Sequence, residues 1–353
     1  METGLTDRDR LPAPVLTSAP IVLEANQPPE RPYRGGAGIA AFRGIAQSSA
    51  FVPEDFVGST TQVHAGGGVG LTVLSDGRTL KDAIAADPVG FLGEEHVRRY
   101  GADSMLLVKL LDTAERLFVH YHPSDAFART RLGEPRGKTE AWAVFATADE
   151  DAYVSLGFTR AVSEVEAAQW FRGQDVADML GVMHRLSVRP GDTILVPAGL
   201  PHVIGPGLTL VELQQPTDLS ILLEYAGYRG MDEKDALMGL HLDLALQALD
   251  RSAWSPERLG ELASPARRVS ATTERLFPAA ADGFFRAERI VAGGSAAVDA
   301  GFSVLIVLAG DGAIDYAGGT LPIRRGMTVL LPYAAGPVEI VGDVQLIRAR
   351  PPE

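Results

Sequence analysis

The sequence predicts a mainly β protein built from two related β-barrels, with helices between and beside them. Two observations carry this. The chain is broken by Gly and Pro into short apolar runs, among them "SMLLVKLLD", "RLFVHYH", "EAWAVFA", "DAYVSLGF", "DTILVPAG", "LTLVELQQ" and "LSILLEYAG", and strands at such spacing with turn signals indicate a sandwich or barrel. An internal repeat then doubles the unit. "VRPGDTILVPAGLPHVI" from Val188 has a counterpart in "IRRGMTVLLPYAAGPVEI" from Ile323, with Gly191 matched to Gly326 and Pro197 to Pro332.

Helical signals are fewer. One stretch runs from Ser163 to Leu186. A second, Met231 to Trp254, carries Leu237, Leu240, Leu244 and Ala248 at three- and four-residue steps, the stripe of an amphipathic helix, widened by Leu242, Leu246 and Leu249. The predicted organisation is an N-terminal extension over residues 1–30, a first barrel over 31–229, a helical connection over 230–270 and a second barrel over 271–353. A chain of 353 residues is long enough for two packed units.

Composition excludes several classes. With 32 Lys+Arg against 45 Asp+Glu the net charge is −13, and no dense basic run is present, which argues against a nucleic-acid partner. The N-terminus lacks the basic start and apolar core of a secretory signal, and no uninterrupted apolar run approaches a membrane span, so a soluble cytoplasmic protein without a membrane partner is expected. Either a monomer or a homodimer is compatible with the sequence. There is no cysteine, so a metal would have to be held by His, carboxylate or amide groups.

Seven histidines are present, and three of the polar segments point to one centre. His120 and His122 lie two apart on a strand and leave the same face. After the turn "GEPRG", the next strand puts Lys138, Glu140 and Trp142 on one face by the same parity. The segment "GDTILVPAGLPH" sets a Gly/Pro turn that delivers His202 inward. The second copy of the repeat has Pro337 where the first has His202, and no histidine follows His241, so only the first barrel can hold a histidine metal site. His184 is expected to cap a helix or sit on the surface; His64, His96 and His241 have nothing that places them at the metal. The glycines of "HAGGGVG" are not followed by a Lys-Ser/Thr pair or a helix start and read as a turn.

The His-x-His, the Glu and the spaced Gly/Pro/His segment form the two-part signature of the cupin superfamily, and the chain resembles its members. Within it, "HPSDAFAR", "GKTEAW" and "VPAGLPHVIGPGLTLVELQQPTD" resemble class I mannose-6-phosphate isomerases, and "GRTLKDAIAADPVGFLG" and "LLVKLLD" extend the likeness over roughly Arg78 to Tyr225. The resemblance implies two cupin-type jelly rolls and a metal-dependent aldose-ketose isomerase acting on a sugar or sugar phosphate. It makes His122, Glu140 and His202 zinc ligands, with His120 where the family usually has glutamine; that donor set also suits Mn, Fe or Ni. It also gives Lys138 an active-site role, burial beside a metal being expected to tune it for proton transfer, and the neighbouring sequence makes Glu224 a second catalytic candidate. Trp142 is expected to pack the core.

Two departures bear on substrate. Where the family has a catalytic arginine, four residues after the aspartate of the "QQ..D" segment, this chain has Leu222. Where it has a phosphate-associated serine, two residues before the first ligand, this chain has Phe118. An aromatic ring and a leucine offer a dianion no donors, so an unphosphorylated sugar is expected to be preferred, unless arginines such as Arg129, Arg131, Arg136 or Arg160 reach in. The alternatives are a cupin oxygenase or oxidase, since three histidines and a glutamate also hold Fe²⁺, and a catalytically silent sugar-binding cupin.

Overall fold

The computed structural model describes residues 16–63, 66–263 and 265–353. The expected strands form, and every sheet is antiparallel. In the first unit one five-stranded sheet runs in the order Glu54–Val57, Leu107–Asp112, Leu208–Gln214, Glu140–Thr147, Thr193–Val196. A second has the order Ile221–Leu222, His120–Tyr121, His202–Ile204, Tyr153–Phe158, Met183–Ser187. All six residues of Leu107–Asp112 and all seven of Leu208–Gln214 are buried, because both faces of this central pair are covered.

The C-terminal unit is an eight-stranded sheet dominated by long strands, Arg286–Val298, Ser303–Tyr316 and Val338–Arg350. Its edge is completed from the other end of the chain: Ile21–Leu23, within the expected extension, pairs with Thr328–Leu330. The sheet packs in two directions. Val304, Ile306, Ile347 and Ala349 join the core of the first unit, while Leu305, Val307, Ile314, Ile340 and Leu346 form a separate apolar cluster. Period-two alternation of β-branched and leucine side chains produces that division.

The sequence repeat is a structural repeat. Gly191 and Gly326 both have positive φ, at 99° and 87°, and each precedes a four-residue strand, Thr193–Val196 or Thr328–Leu331, that ends at a proline. A Cβ on Gly326 would stand 2.1 Å from the Phe42 carbonyl oxygen, so only glycine fits there.

Both long helical expectations are corrected. The Ser163–Leu186 stretch is helical over Glu164–Gly173 and Val176–Gly181, but Met183–Ser187 is a strand. Gln174, at φ 50°, ends the first helix in the left-handed conformation. The Met231–Trp254 stretch holds only Glu233–Ala236, Leu242–Ala245 and a 3₁₀ turn at Leu246–Ala248. Met238 and Gly239, at φ 54° and 75°, break it. Its apolar stripe is nevertheless buried at Leu237, Leu242, Leu246 and Leu249, so burial was readable where helix continuity was not. Among the described residues no helix is long and apolar enough to cross a membrane.

Candidate metal centre and its cavity

The three histidines converge as their spacing implies. His120 and His202 are register partners on adjacent strands, and the ring centroids of His120, His122 and His202 lie 4.0 to 5.0 Å apart. Their ligand atoms fall within 4.8 Å of one another and all three side chains are buried. Glu140 enters from the facing sheet, with Oε2 2.9 Å from His122 Nε2 and Oε1 3.3 Å from His202 Nε2.

Local structure fixes each group. The Gly199 amide donates to the His122 carbonyl at 2.8 Å and Gly199 takes φ 87°, which turns the chain so that His202 faces the centre. Gly137 is required by close approach, since a Cβ there would lie 2.2 Å from the Pro123 carbonyl oxygen. The Lys138 amide donates to that same carbonyl at 3.0 Å, and Gln215 ties the loop down by accepting from the Thr139 amide at 2.8 Å and donating to Asp125 at 2.9 Å. The "GKTE" and "QQ" segments are thus two halves of one clamp.

The protonation pattern fits a cation. His120 Nδ1 donates to the Phe118 carbonyl at 3.0 Å, His122 Nδ1 to that of Leu219 at 2.9 Å and His202 Nδ1 to that of Leu200 at 2.8 Å. A carbonyl only accepts, so each neutral ring turns an Nε2 lone pair toward the carboxylate. Burial, then the other histidines, pushes His120 well below the usual histidine range; burial, then the Lys138 charge, takes His122 down to about 3. Burial alone would raise Glu140, but Lys138 and His122 hold it well below the ordinary carboxylate range. The Lys138 ammonium reaches Glu140 Oε2 and His122 Nε2, but the lone pair of His202 Nε2, facing the same carboxylate, is buried without a hydrogen-bond partner, as a metal ligand awaiting its cation would be. The residues present therefore fit a bound divalent metal.

The surrounding cavity, about 50 Å³, is lined by Lys138, Glu140, His120 and Phe118, and by groups the sequence reading did not single out. Lys138 Nζ is 2.8 Å from Glu140 Oε2 and 3.1 Å from His122 Nε2. Lys109 faces Glu212 in register, with Nζ 3.2 Å from Glu54 and 3.6 Å from Glu212. Arg31 pairs with Glu54 and lies 3.6 Å from Asp218. Burial, then the Glu140 charge, raises Glu212 to about 7. Glu54 goes the other way: burial opposes its ionisation, but Arg31 and Lys109 bring it down to about 2. The available signal was a single charge inside an otherwise apolar run, the Lys of "LLVKLLD" and the Glu of "LTLVELQ".

Other candidates are placed elsewhere. Glu224 does not line the cavity; it forms a two-pronged pair with Arg116 at 2.6 Å and accepts from the Val119 amide at 2.9 Å. Leu222 lies opposite His120 in register and is buried in the core. Trp142 is fully buried, and its Nε1 donates to Glu140 Oε1 at 3.1 Å, so it packs the core and also orients a ligand. His184 sits on a strand, not at a helix end, with Nε2 2.7 Å from the Trp254 carbonyl; His96 bonds the Asp103 carbonyl at 2.7 Å. His241 precedes the turn Leu242–Ala245. His64 lies outside the described residues.

Comparison with known proteins extends the likeness to the other half of the chain. The family model "Mannose-6-phosphate isomerase, cupin domain" matches residues 277–351, the second unit, beyond the Arg78 to Tyr225 stretch. The mannose-6-phosphate isomerase ManA of Bacillus subtilis is 28% identical over 249 residues, 69% of this chain and 73% of that protein. The mannose-6-phosphate isomerase of Streptococcus mutans is 28% identical over 266 residues, 74% and 79% of the two chains. The crystal structure of the Bacillus subtilis mannose 6-phosphate isomerase superposes with a TM-score of 0.72 at 23% identity, covering 94% of this chain and 99% of that one. A variant of phosphomannose isomerase from Salmonella typhimurium gives 0.72 at 14% identity, over 95% and 100%; these two establish likeness of fold. The resemblance read from the sequence is borne out: the chain is similar to mannose-6-phosphate isomerases over about 70% of its length, as a divergent member would be.

Proposed function

We propose that this chain is a metal-dependent aldose-ketose isomerase that interconverts sugars and favours unphosphorylated ones. The observation that carries this reading is the convergence of His120, His122, His202 and Glu140 on one point, with Lys138 and Glu212 facing the same cavity. The named activity of its relatives supports the reaction class. Zinc suits three imidazoles and one carboxylate best; when bound, such an ion polarises sugar oxygens and stabilises negative charge.

Isomerisation moves a proton between C2 and C1 through a cis-enediol, so the protein must take a carbon-bound proton, return it one carbon away and exchange protons between O1 and O2. Glu212, raised to about 7, is a carboxyl able to hold or release a proton near neutral pH. Lys138, against Glu140 and His122, supplies a cationic donor at the sugar oxygens. We assign proton transfer to this pair. Glu224, occupied by Arg116, is given the task of holding the strand that carries His120 and His122. Phe118 lines the cavity wall, which supports a preference for sugars without a phosphate.

The test is a panel of free aldoses, ketoses and their 6-phosphates incubated with zinc-loaded protein in deuterated water, following interconversion and deuterium at C2. Turnover is expected with a free aldose, and Lys138→Met or Glu212→Gln should lower kcat by about 10²-fold or more with metal content retained. Absence of exchange with every sugar would end the isomerase reading, whereas selective turnover of mannose 6-phosphate would end only the specificity.

A further inference from the structure

The inner cavity does not stand alone. Asp218 lines it and also lines a much larger outer pocket of about 520 Å³. That volume is in the range of small-molecule sites, roughly 300–1,000 Å³, while the inner one has room for little more than reacting atoms. The lining of the inner cavity also includes Phe118, packed edge-on against Tyr33 and Tyr228 at centroid distances of 5.8 and 5.2 Å. Because Asp218 belongs to both linings, the outer pocket is the adjoining space for the rest of a substrate whose reacting carbons lie beside Lys138.

The chemistry of that pocket selects what occupies it. Its charged lining groups are Lys81 and Arg136 against Asp103, Glu134 and Asp218, two positive against three negative, and Arg136 is already paired with Asp103 at 2.7 Å. Asp218 in turn lies beside Arg31 and Lys109, which leaves Lys81 against Glu134, so the pocket offers a phosphate dianion no net positive charge. Acidic and hydroxyl acceptors instead suit the many O–H donors of a neutral sugar. A second observation agrees. Thr61 lines the pocket, is 7% exposed, and its Oγ1 is buried without a hydrogen-bond partner; a buried hydroxyl left unsatisfied is costly, and a ligand hydroxyl relieves the cost.

We propose that the outer pocket is a subsite for a second, uncharged sugar ring, making the preferred substrate a reducing disaccharide whose terminal aldose reaches the metal centre. This rests on the isomerase reading for turnover, though not for binding. Zinc-loaded full-length protein would be assayed with mannose, mannose 6-phosphate and β-1,4-mannobiose by exchange at C2, and in parallel by calorimetric binding of mannobiose. Mannobiose should exceed mannose in kcat/KM by about tenfold or more. Thr61→Val and Glu134→Gln should each remove most of that advantage, leaving turnover of mannose within about twofold of wild type. Equal use of mannose and mannobiose, or preference for mannose 6-phosphate that Lys81→Ala and Arg136→Ala abolish, would overturn the subsite. If no sugar reacts, calorimetry decides: mannobiose binding that Thr61→Val weakens upholds the subsite while the isomerase reading falls, and no binding overturns it.

Discussion

The two halves of the molecule repeat one turn and use it for opposite purposes. After Gly191 the strand Thr193–Val196 runs through a Pro197 turn to His202, which is fully buried at the candidate metal centre; after Gly326 the matching strand runs through Pro332 to Pro337, which is exposed. Around the first turn the interior carries buried charge: Glu54, Lys109, Lys138, Glu140 and Glu212 beside three histidines. Around the second it is a cluster of Ile, Val, Leu and Ala, with Arg348 the buried charge among its described residues. The comparison teaches that backbone geometry of this turn is set by glycine and proline alone, whereas function depends on what the neighbouring strands face inward. The family model matches the half without the ligands, which is natural for a scaffold shared by both.

The largest effect expected from breaking this contrast is at the ligands. Wild-type protein purified without added metal should contain about one first-row transition metal per chain, and His122→Ala with His202→Ala should retain little, since removing two of four ligands leaves no competent site. Elemental analysis checks this, and full occupancy in the double variant would show the metal to lie elsewhere. Activity should fall with the metal, while the second unit, holding no ligand, should be unaffected.

Next comes the buried charge of the other half. Arg348, 1% exposed, donates to Ser303 Oγ at 3.2 Å, to the Asp299 carbonyl at 2.7 Å and pairs with Asp299 and Glu288. Arg348→Ala removes these hydrogen bonds and the packing of a fully buried side chain, while Arg350 still pairs with Asp299 and Glu288, and should cost about 2 kcal/mol of stability in denaturant titration. Metal content per folded chain should not change. A variant that keeps stability but loses metal would show that the two units are coupled more closely than their separate cores indicate.

A smaller effect follows from protons. Glu54 is held at about 2 by Arg31 and Lys109 against the opposing effect of burial, below its unfolded value near 4.3. A depressed carboxyl stabilises above the unfolded pKa and loses that contribution as pH falls through the folded one. Stability of chelator-treated protein should therefore decline between about pH 4.5 and 2, and Glu54→Gln should flatten that decline while lowering stability at neutral pH. An unchanged acid slope would remove Glu54 from the account.

How much of this was legible beforehand depends on whether the signal was local. His120, His122, Glu140 and His202 could be read because strand parity and a Gly/Pro turn are short-range rules. The pairing of Ile21–Leu23 with Thr328–Leu330 could not, because nothing in either segment encodes a partner three hundred residues away. Glu224 looked like a cavity group from its position after a strand, yet Arg116, distant in sequence, claims it. The single long helix expected over Met231 to Trp254 failed at Met238 and Gly239, where two left-handed residues override a correct hydrophobic stripe.

The smallest expected effect tests whether the turn by itself makes a site. Pro337→His places a histidine where the first repeat has its third imidazole ligand. Pro337 is exposed and follows Gly336 at φ 74°, outside the apolar cluster formed by Val338, Ile340 and their neighbours. No other histidine follows His241 in the chain, in contrast to the first repeat, where the His202 ring stands 4.0 Å from that of His120 and its Nε2 is 3.3 Å from Glu140. One exposed imidazole binds metal weakly, and an exposed substitution usually changes stability by no more than about 0.5 kcal/mol. The metal content should stay at that of wild type and the melting temperature should barely move. A second metal per chain in this variant would mean that the repeat carries a latent ligand set, and that the division between a chemical half and a structural half is less complete than the buried residues imply.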